Sequence, residues 1–551
     1  MSLREWISKR ETITILIILF FAYILRIIYP NLYMMGGDLS GHILASMRLH
    51  LTSPWETSNL INNSFAQLVQ YDHGYTTMLL PFILYEIFFN LFNLTINEPN
   101  LIFIHSILGI LSLASIYYFL KLNFEYKKAI FAIILIAVIP THIGFSRSHM
   151  GFVLIQSIFL FLSLSFLFNL IKEDKLKWKI GYFVATFFYI GADLSFFVGL
   201  FFHVLYIYLL KMEQGREEII RTYKRIYFNF YTLIFIILPI IIYLIAAFLL
   251  ASKGINSGYL LRLFGKFDAA NPFSFKPLIV SAWLIELIGP IFIIFILSLA
   301  KFKEIITKPK LLFMITMFAT YFILLSLKTT NIEKNYVFFM ASPLIMIPLD
   351  LFFKNKLFKI IFILTILLTM IYSLSVIYGF NIGFDTPSSH GSINKELIKN
   401  NDYGVKTLGY LIRKDTFNLS NETMIKHSIQ IEQLAFYIDF ESAEYFTGMF
   451  PQREFEDFER FDTFLIAYLK YEDKNKKIYL NNLNDKIPSF VKDKNLILVG
   501  YIVDDERILI ELYSNKPIGK MTYYNTNIYN KKFDEEFGNM DSISKIELGF
   551  Y

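Results

Sequence analysis

Apolar residues in this chain come in long blocks separated by short, charged loops. The first block runs from about Thr12 to Ile28, behind Arg4, Lys9 and Arg10. Further blocks follow at roughly 76–96, 101–120, 129–145, 152–171, 180–194, 196–210, 226–252, 277–300, 311–327, 336–353 and 357–378. Many of them reach the roughly 18–25 residues that carry a helix across a bilayer. The segment 180–210 is short for two spans, and it reads as a hairpin turning near Gly191-Ala192-Asp193. From about Asp385 the pattern changes to charged, Asn-rich and Tyr-rich sequence. There Tyr403–Lys414 reads as a helix. Asn495–Val503 and Arg507–Tyr513 alternate like paired strands around a turn at Asp504-Asp505. The expectation is a helical membrane domain over 1–380, with a first loop at 29–100 and about eleven spans. A small soluble α/β domain is expected over 381–551.

Composition agrees. Of 551 residues, 55% are hydrophobic and 18% aromatic, too apolar for a soluble chain of this length. No cysteine is present, which removes disulfides, thiolate metal sites and cysteine nucleophiles from consideration. The net charge of +6 is spread over loops and gives no reason to expect a nucleic-acid partner. The first apolar block lacks a small-residue cleavage pattern, so it reads as a retained span.

Loop charge predicts the topology. Positive flanks stay cytoplasmic, so the N-terminus is expected inside and the loop after the first span outside. If 76–96 crosses, the basic loops Lys121–Lys128, Lys172–Lys179, Lys211–Arg225, Lys301–Lys310 and Lys354–Lys359 all fall outside. If 76–96 stays on the outer surface, all five fall inside, as the rule prefers. Pro81, Glu86 and Asn90 also weaken this stretch as a span. That choice sends the C-terminal domain and the chemically interesting loops to one outer face. The outer loop 253–276 then holds Lys253, Arg262, Lys266 and Lys276 against Asp268. These cations suit a lipid-linked phosphate, or they snorkel at span ends.

The candidate chemistry centres on Gly36-Gly37-Asp38-Leu39-Ser40-Gly41-His42. The glycines let backbone approach a ligand closely, and His42 lies four residues beyond Asp38. The same carboxylate would alternatively cap a helix starting at Leu39. Asp72-His73-Gly74 offers an acid and an imidazole to an acceptor or a metal, or simply starts a helix. In Ser146-Arg147-Ser148-His149, Arg147 is the phosphate-binding candidate and His149 its neighbour; an interfacial anchor is the plainer reading. Asp193 sits among aromatic residues, where an intramembrane acid is a site candidate or a hairpin cap. Lys334 is a second candidate for a phosphate contact. Glu286 lies inside a span and needs a partner or a proton. Lone His105 and His203 read as packing residues. Asn418-Leu419-Ser420 and Asn421-Glu422-Thr423 are glycosylation sequons.

The order of these stretches resembles the GT-C superfamily of membrane glycosyltransferases over roughly residues 10–350. Met34-Met35-Gly36-Gly37-Asp38 with Ala45-Ser46-Met47-Arg48 resembles the first loop of protein O-mannosyltransferase-like and lipid A aminoarabinose transferase-like enzymes. Tyr71-Asp72-His73-Gly74 sits where those enzymes carry a His-Pro-Pro-Leu-like run, and Ile139-Pro140 through Ser148 resembles their second outer loop. Asp38 with His42, and Arg147-Ser148-His149-Met150-Gly151, more distantly resemble the oligosaccharyltransferase catalytic subunit. Leu39 follows Asp38 where the mannosyltransferase pattern has a second acid, and the tryptophan-rich motif of oligosaccharyltransferases has no counterpart.

The resemblance implies a GT-C-like fold and a polyprenyl-phosphate-linked sugar donor. It also implies transfer, with inversion, to a glycan, lipid or protein acceptor at the outer face of the cell membrane. Asp38 would be the base, and Arg147 with Lys334 would meet the phosphate. His42, Asp72, His73, His149 and Asp193 would be substrate-binding neighbours. No cofactor is required outright; Mg or Mn is the expectation if a metal takes part, on Asp38 and Asp72. The alternatives are an oligosaccharyltransferase-like enzyme, a lipid-linked-sugar transporter and a non-catalytic lipid-binding protein.

Overall fold

The structure is a computed structural model. It describes residues 9–28, 75–147, 151–193, 196–242, 244–245, 277–327, 334–378, 404–414, 416–417, 423–427, 463–469, 492, 495–504, 508–515 and 521–537. They fall into two compact units. The described residues of the first lie within Met1–Tyr29, Ile61–Leu80 and Phe103–Ile393, and those of the second within Pro81–Ile102 and Asn394–Tyr551.

Helices make up the first unit. The first, α1 (Lys9–Ile27), buries Ile15, Ala22 and Arg26 along one stripe and exposes Ile13, Leu16, Ile17, Phe20 and Phe21 on the other side. After α2 (Tyr75–Tyr85) and α3 (Glu98–Asn123), the chain forms α4 (Tyr126–Val138) and α5 (Pro140–Arg147), bent by 62° at the proline. Then come α6 (Gly151–Lys172), the pair α7 (Leu176–Ile190) and α8 (Phe196–Lys211), and α9 (Arg216–Tyr227), bent by 60° from α10 (Phe230–Ile242). The expected hairpin near Asp193 is the α7–α8 turn. Next are α11 (Pro277–Ile288), α12 (Ile291–Ser298), α13 (Phe302–Thr307) and α14 (Pro309–Leu327). A 3₁₀ segment, Lys334–Met340, leads into α15 (Ala341–Phe352), and α16 (Lys356–Tyr378) ends the unit.

Among the described residues, five helices are long and apolar enough to cross a membrane, or up to seven if each bent pair is one span. The other apolar blocks are divided or short. Lys9, Arg10 and Glu11 use up the first turn of α1; α7 has 15 residues, and α15 has 12. The block 277–300 breaks at Gly289, φ +90°, and Pro290, which has no amide hydrogen to continue the helix. Exposed apolar surface is what a lipid-facing helix leaves. On α16, Leu357, Ile360, Ile361, Ile363, Leu364, Leu367 and Leu368 all face outward.

Hydrogen bonds tie several helix ends of the first unit together. Tyr23, near the end of α1, donates to the Phe103 carbonyl at 3.1 Å. Arg26, one turn on, lies beside Ser146 at the end of α5. The Thr76 amide, at the start of α2, donates to the Gly191 carbonyl of the α7–α8 turn at 2.9 Å.

The second unit holds the apolar stretch Pro81–Ile102 and a C-terminal sheet. Strands β1 (Thr423–His427), β2 (Thr463–Leu469), β3 (Ile497–Val503), β4 (Ile508–Ser514) and β5 (Thr522–Asn525) lie in the order β1-β2-β4-β3-β5. The outer pairs are parallel, and the two inner pairs are antiparallel. The expected hairpin is β3–β4. Helix α17 (Val405–Arg413) packs on α18 (Thr526–Phe537) through Thr407 to Asn530 at 2.8 Å, Tyr410 to Glu536 at 2.8 Å and a Lys406–Asp534 ion pair.

Candidate functional site

The helix break at Pro140 organises the polar end of the first unit. Pro140 removes one helical donor, and the carbonyls beside the bend accept from other helices. Arg26 of α1 donates Nη2–H to the Ala137 carbonyl at 3.2 Å, and Ser373 of α16 donates to the Val138 carbonyl at 2.5 Å. Across the bend, Arg26 Nε donates to Ser146 Oγ at 3.1 Å, and Nη2 lies 2.6 Å from His142 Nδ1. Nη1 returns to the Ala22 carbonyl of its own helix. Arg26 is completely buried, as are His142 and Ser146. A guanidinium buried this way must have its donors matched, and these acceptors match them.

The network assigns a tautomer to His142. Guanidinium nitrogens only donate, so Nδ1 accepts and the ring proton sits on Nε2. That Nε2 is buried without a hydrogen-bond partner. Ser146 donates to the His142 carbonyl at 2.6 Å while accepting from Arg26. Gly109 of α3 closes the remaining side. A Cβ there would stand 2.1 Å from Ser146 Oγ and 3.2 Å from Arg26 Nε, so only glycine lets α3 approach this closely.

Aromatic contacts carry the site onward. Phe338 of the 3₁₀ segment lies 5.2 Å from the His142 ring and 6.1 Å from Phe145. Its neighbour Phe339 stacks on Tyr321 of α14 at 5.1 Å and 12°. Asp193, 3% exposed, lies within electrostatic reach of Tyr189 and Tyr321. The turn holding Asp193 is tied to α2 by the Thr76 amide and by Thr77, whose hydroxyl donates to the Ala192 carbonyl at 2.7 Å. The Tyr321 hydroxyl is also buried without a hydrogen-bond partner.

The sequence candidates map onto this end as follows. Arg147 is the last residue of α5, directly after Ser146. Lys334 is the first residue of the 3₁₀ segment that carries Phe338. Asp193 is the buried turn, and α2 begins two residues after His73. Asp38, His42, Asp72, His73 and His149 lie outside the described residues, as does the loop 253–276. So do the acid pair named for a metal, Asp38 and Asp72; among the described residues no three His, Asp or Glu side chains gather as metal ligands. His203 is bonded as a packing residue, with Nε2 2.8 Å from Ser163 Oγ. Sequence reasoning passed over Arg26, Gly109, Tyr321 and Ser373. Arg26 carried a usable signal, a charge inside the apolar face of a span, but it was masked by its nearness to the span's end.

The opposite end holds the ion pairs. Lys121 meets Glu11 at 2.7 Å, Lys128 meets Asp350 at 2.8 Å and Lys308 meets Asp350 at 3.4 Å. Lys310 donates to the Asn123 carbonyl, Arg225 to those of Leu170 and Ile171, and Lys359 lies over the Phe353 ring. The five basic loops therefore share one end, opposite the buried polar site.

No family model matches the chain, and no curated protein matches it. Solved structures do. The chain is similar to ArnT from Cupriavidus metallidurans in the apo state, with a TM-score of 0.54 at 11% identity, covering 93% of this chain and 98% of that one. It is also similar to ArnT from the same organism bound to undecaprenyl phosphate, with a TM-score of 0.51 at 10% identity, covering 94% and 99%. The chain thus shares the overall fold of these structures over nearly its whole length.

Proposed function

We propose that this chain is an integral-membrane glycosyltransferase that takes a sugar from a polyprenyl-phosphate donor. The observation that carries the reading is the full-length likeness to ArnT, one of whose structures is bound to undecaprenyl phosphate. The gathering of buried polar groups at one end of an otherwise lipid-facing body supports it. A long isoprenoid tail would stay in the bilayer while its phosphate meets that end.

The chemistry needs few groups, because phosphate is a good leaving group. Asp38 takes the proton from an acceptor hydroxyl as the hydroxyl oxygen bonds the anomeric carbon. The bond from that carbon to the phosphate oxygen breaks, its electron pair leaves with the phosphate, and the anomeric configuration inverts. Arg147 and Lys334 offset the charge on the departing phosphate. Asp193, His42, Asp72, His73 and His149 line the sugar and acceptor. The acceptor is a glycan, a lipid or a protein.

Charge supports an orientation. The five basic loops lie on the cytoplasmic side with the N-terminus, and the polar end opens outward with the C-terminal domain, in the cell membrane.

The test is transfer by purified protein from a panel of radiolabelled polyprenyl-phosphate sugars. Asp38→Asn is expected to lower transfer by a factor of 10³ or so, with donor binding retained. A chelator arm asks whether a divalent cation, Mg or Mn on Asp38 and Asp72, shares the work. Transfer that survives Asp38→Asn unchanged would remove Asp38 as the base. Donor binding without transfer to any acceptor would leave a lipid-binding protein.

A further inference from the structure

We propose that Arg26 is a positioning residue: it clamps both arms of the bent α4–α5 pair and so sets where Arg147 meets the donor phosphate. The inference rests on the reading above that Arg147 contacts that phosphate. It adds a residue from another helix that acts on Arg147 without touching the donor.

The geometry carries the argument. One guanidinium reaches the first arm at Ala137 and the second at His142 and Ser146, so it spans the 62° bend. A single planar fork holding three acceptors fixes both their separation and their relative direction. Ser146, which accepts from Nε, is the residue before Arg147. α5 is eight residues long and ends at Arg147, so a small rotation about the bend is delivered in full at that residue. Gly109 leaves Ser146 no room to move toward α3, since even a methyl group there would overlap Ser146 Oγ. Ser373 steadies the first arm from the far side through the Val138 carbonyl. The clamp thus draws on α1, α3 and α16 to hold the two arms of the bent pair.

A purely structural role for Arg26 is the competing account, and a double-mutant cycle separates the two. The measurement is equilibrium binding of undecaprenyl phosphate to the full-length protein in nanodiscs. Arg26→Lys keeps the charge but loses the fork. Gly109→Ala keeps Arg26 and crowds Ser146, so it serves in place of Arg26→Lys if that variant does not fold. Each is expected to weaken binding about tenfold in the parent and by less than about twofold in an Arg147→Ala background. Equal weakening in both backgrounds, or none in the parent, would overturn the proposal. If Arg147→Ala alone leaves binding unchanged, the assignment of Arg147 to the phosphate falls first. Binding that Arg147→Ala weakens, with Arg26→Lys additive to it, keeps that assignment and rejects only the clamp.

Discussion

Gly289 and Gly404 both hold positive φ, at +90° and +83°, but only one of them is also crowded. A Cβ at Gly289 would meet Thr369 at 3.6 Å, an ordinary contact, so Gly289→Ala should cost about 1–2 kcal/mol from backbone conformation alone. A Cβ at Gly404 would stand 2.6 Å from Ile502 Cγ2, so Gly404→Ala adds an overpacking penalty of roughly 1–3 kcal/mol to the same backbone term. Thermal unfolding of both variants in detergent should rank them in that order; a larger loss at Gly289 would contradict it. Legibility at this scale was uneven. Arg147 stood out as a cation among the polar residues Ser146-Arg147-Ser148-His149 and Asp193 as an acid among aromatic residues, and both fall at the polar end. Arg26 did not, because a charge two residues from a span's end reads equally well as a snorkelling flank. Only three-dimensional contacts with Ala137, His142 and Ser146 distinguish the two. Gly109 left no trace in the sequence, because its role is the absence of a side chain opposite Ser146.

At the scale of elements, the α17–α18 pair carries a pH-sensitive clasp. Lys414 and the Tyr410 hydroxyl hold the Glu536 carboxyl below its usual range, and burial with Glu536 beside it pushes Tyr410 up to about 12. The carboxylate's contribution is full above the ordinary Glu range of about 4.3 and fades as pH falls through the lowered value. The phenol's contribution is full below about 10 and fades as pH rises toward 12. Protease sensitivity of 526–537 should therefore rise at both extremes, and Glu536→Gln should flatten the acid arm. An acid arm that persists in Glu536→Gln would assign it elsewhere. Helices and the β3–β4 hairpin were legible from period and turn residues. The breaks were not: Pro140 and the Gly289-Pro290 pair sit inside unbroken apolar runs, and hydropathy is blind to a bend that other helices hold in place.

Across the whole molecule, polarity divides the first unit into an ion-paired end and a buried-polar end. That division was legible in the sequence because the five basic loops obey one parity whether or not 76–96 crosses. The cysteine-free chain makes it directly testable. Asp174→Cys and Asn93→Cys, both at exposed positions, should label oppositely with an impermeant maleimide in intact cells: Asn93→Cys modified, Asp174→Cys protected. Labelling of Asp174→Cys would place the basic loops outside, and protection of Asn93→Cys would place the stretch after Leu80 on the inner side. The clamp on the bent helix also bears on how the protein is made. The groups that match Arg26 lie 111 to 120 residues downstream of it. At roughly 5–20 residues per second, α1 waits on the order of ten seconds for them to be synthesised. Until then the guanidinium lacks these acceptors, and α1 should sit shallow in the bilayer with Arg26 at the lipid headgroups. Arrival of α4 and α5 supplies the acceptors, so the final depth of the first helix should depend on the fifth.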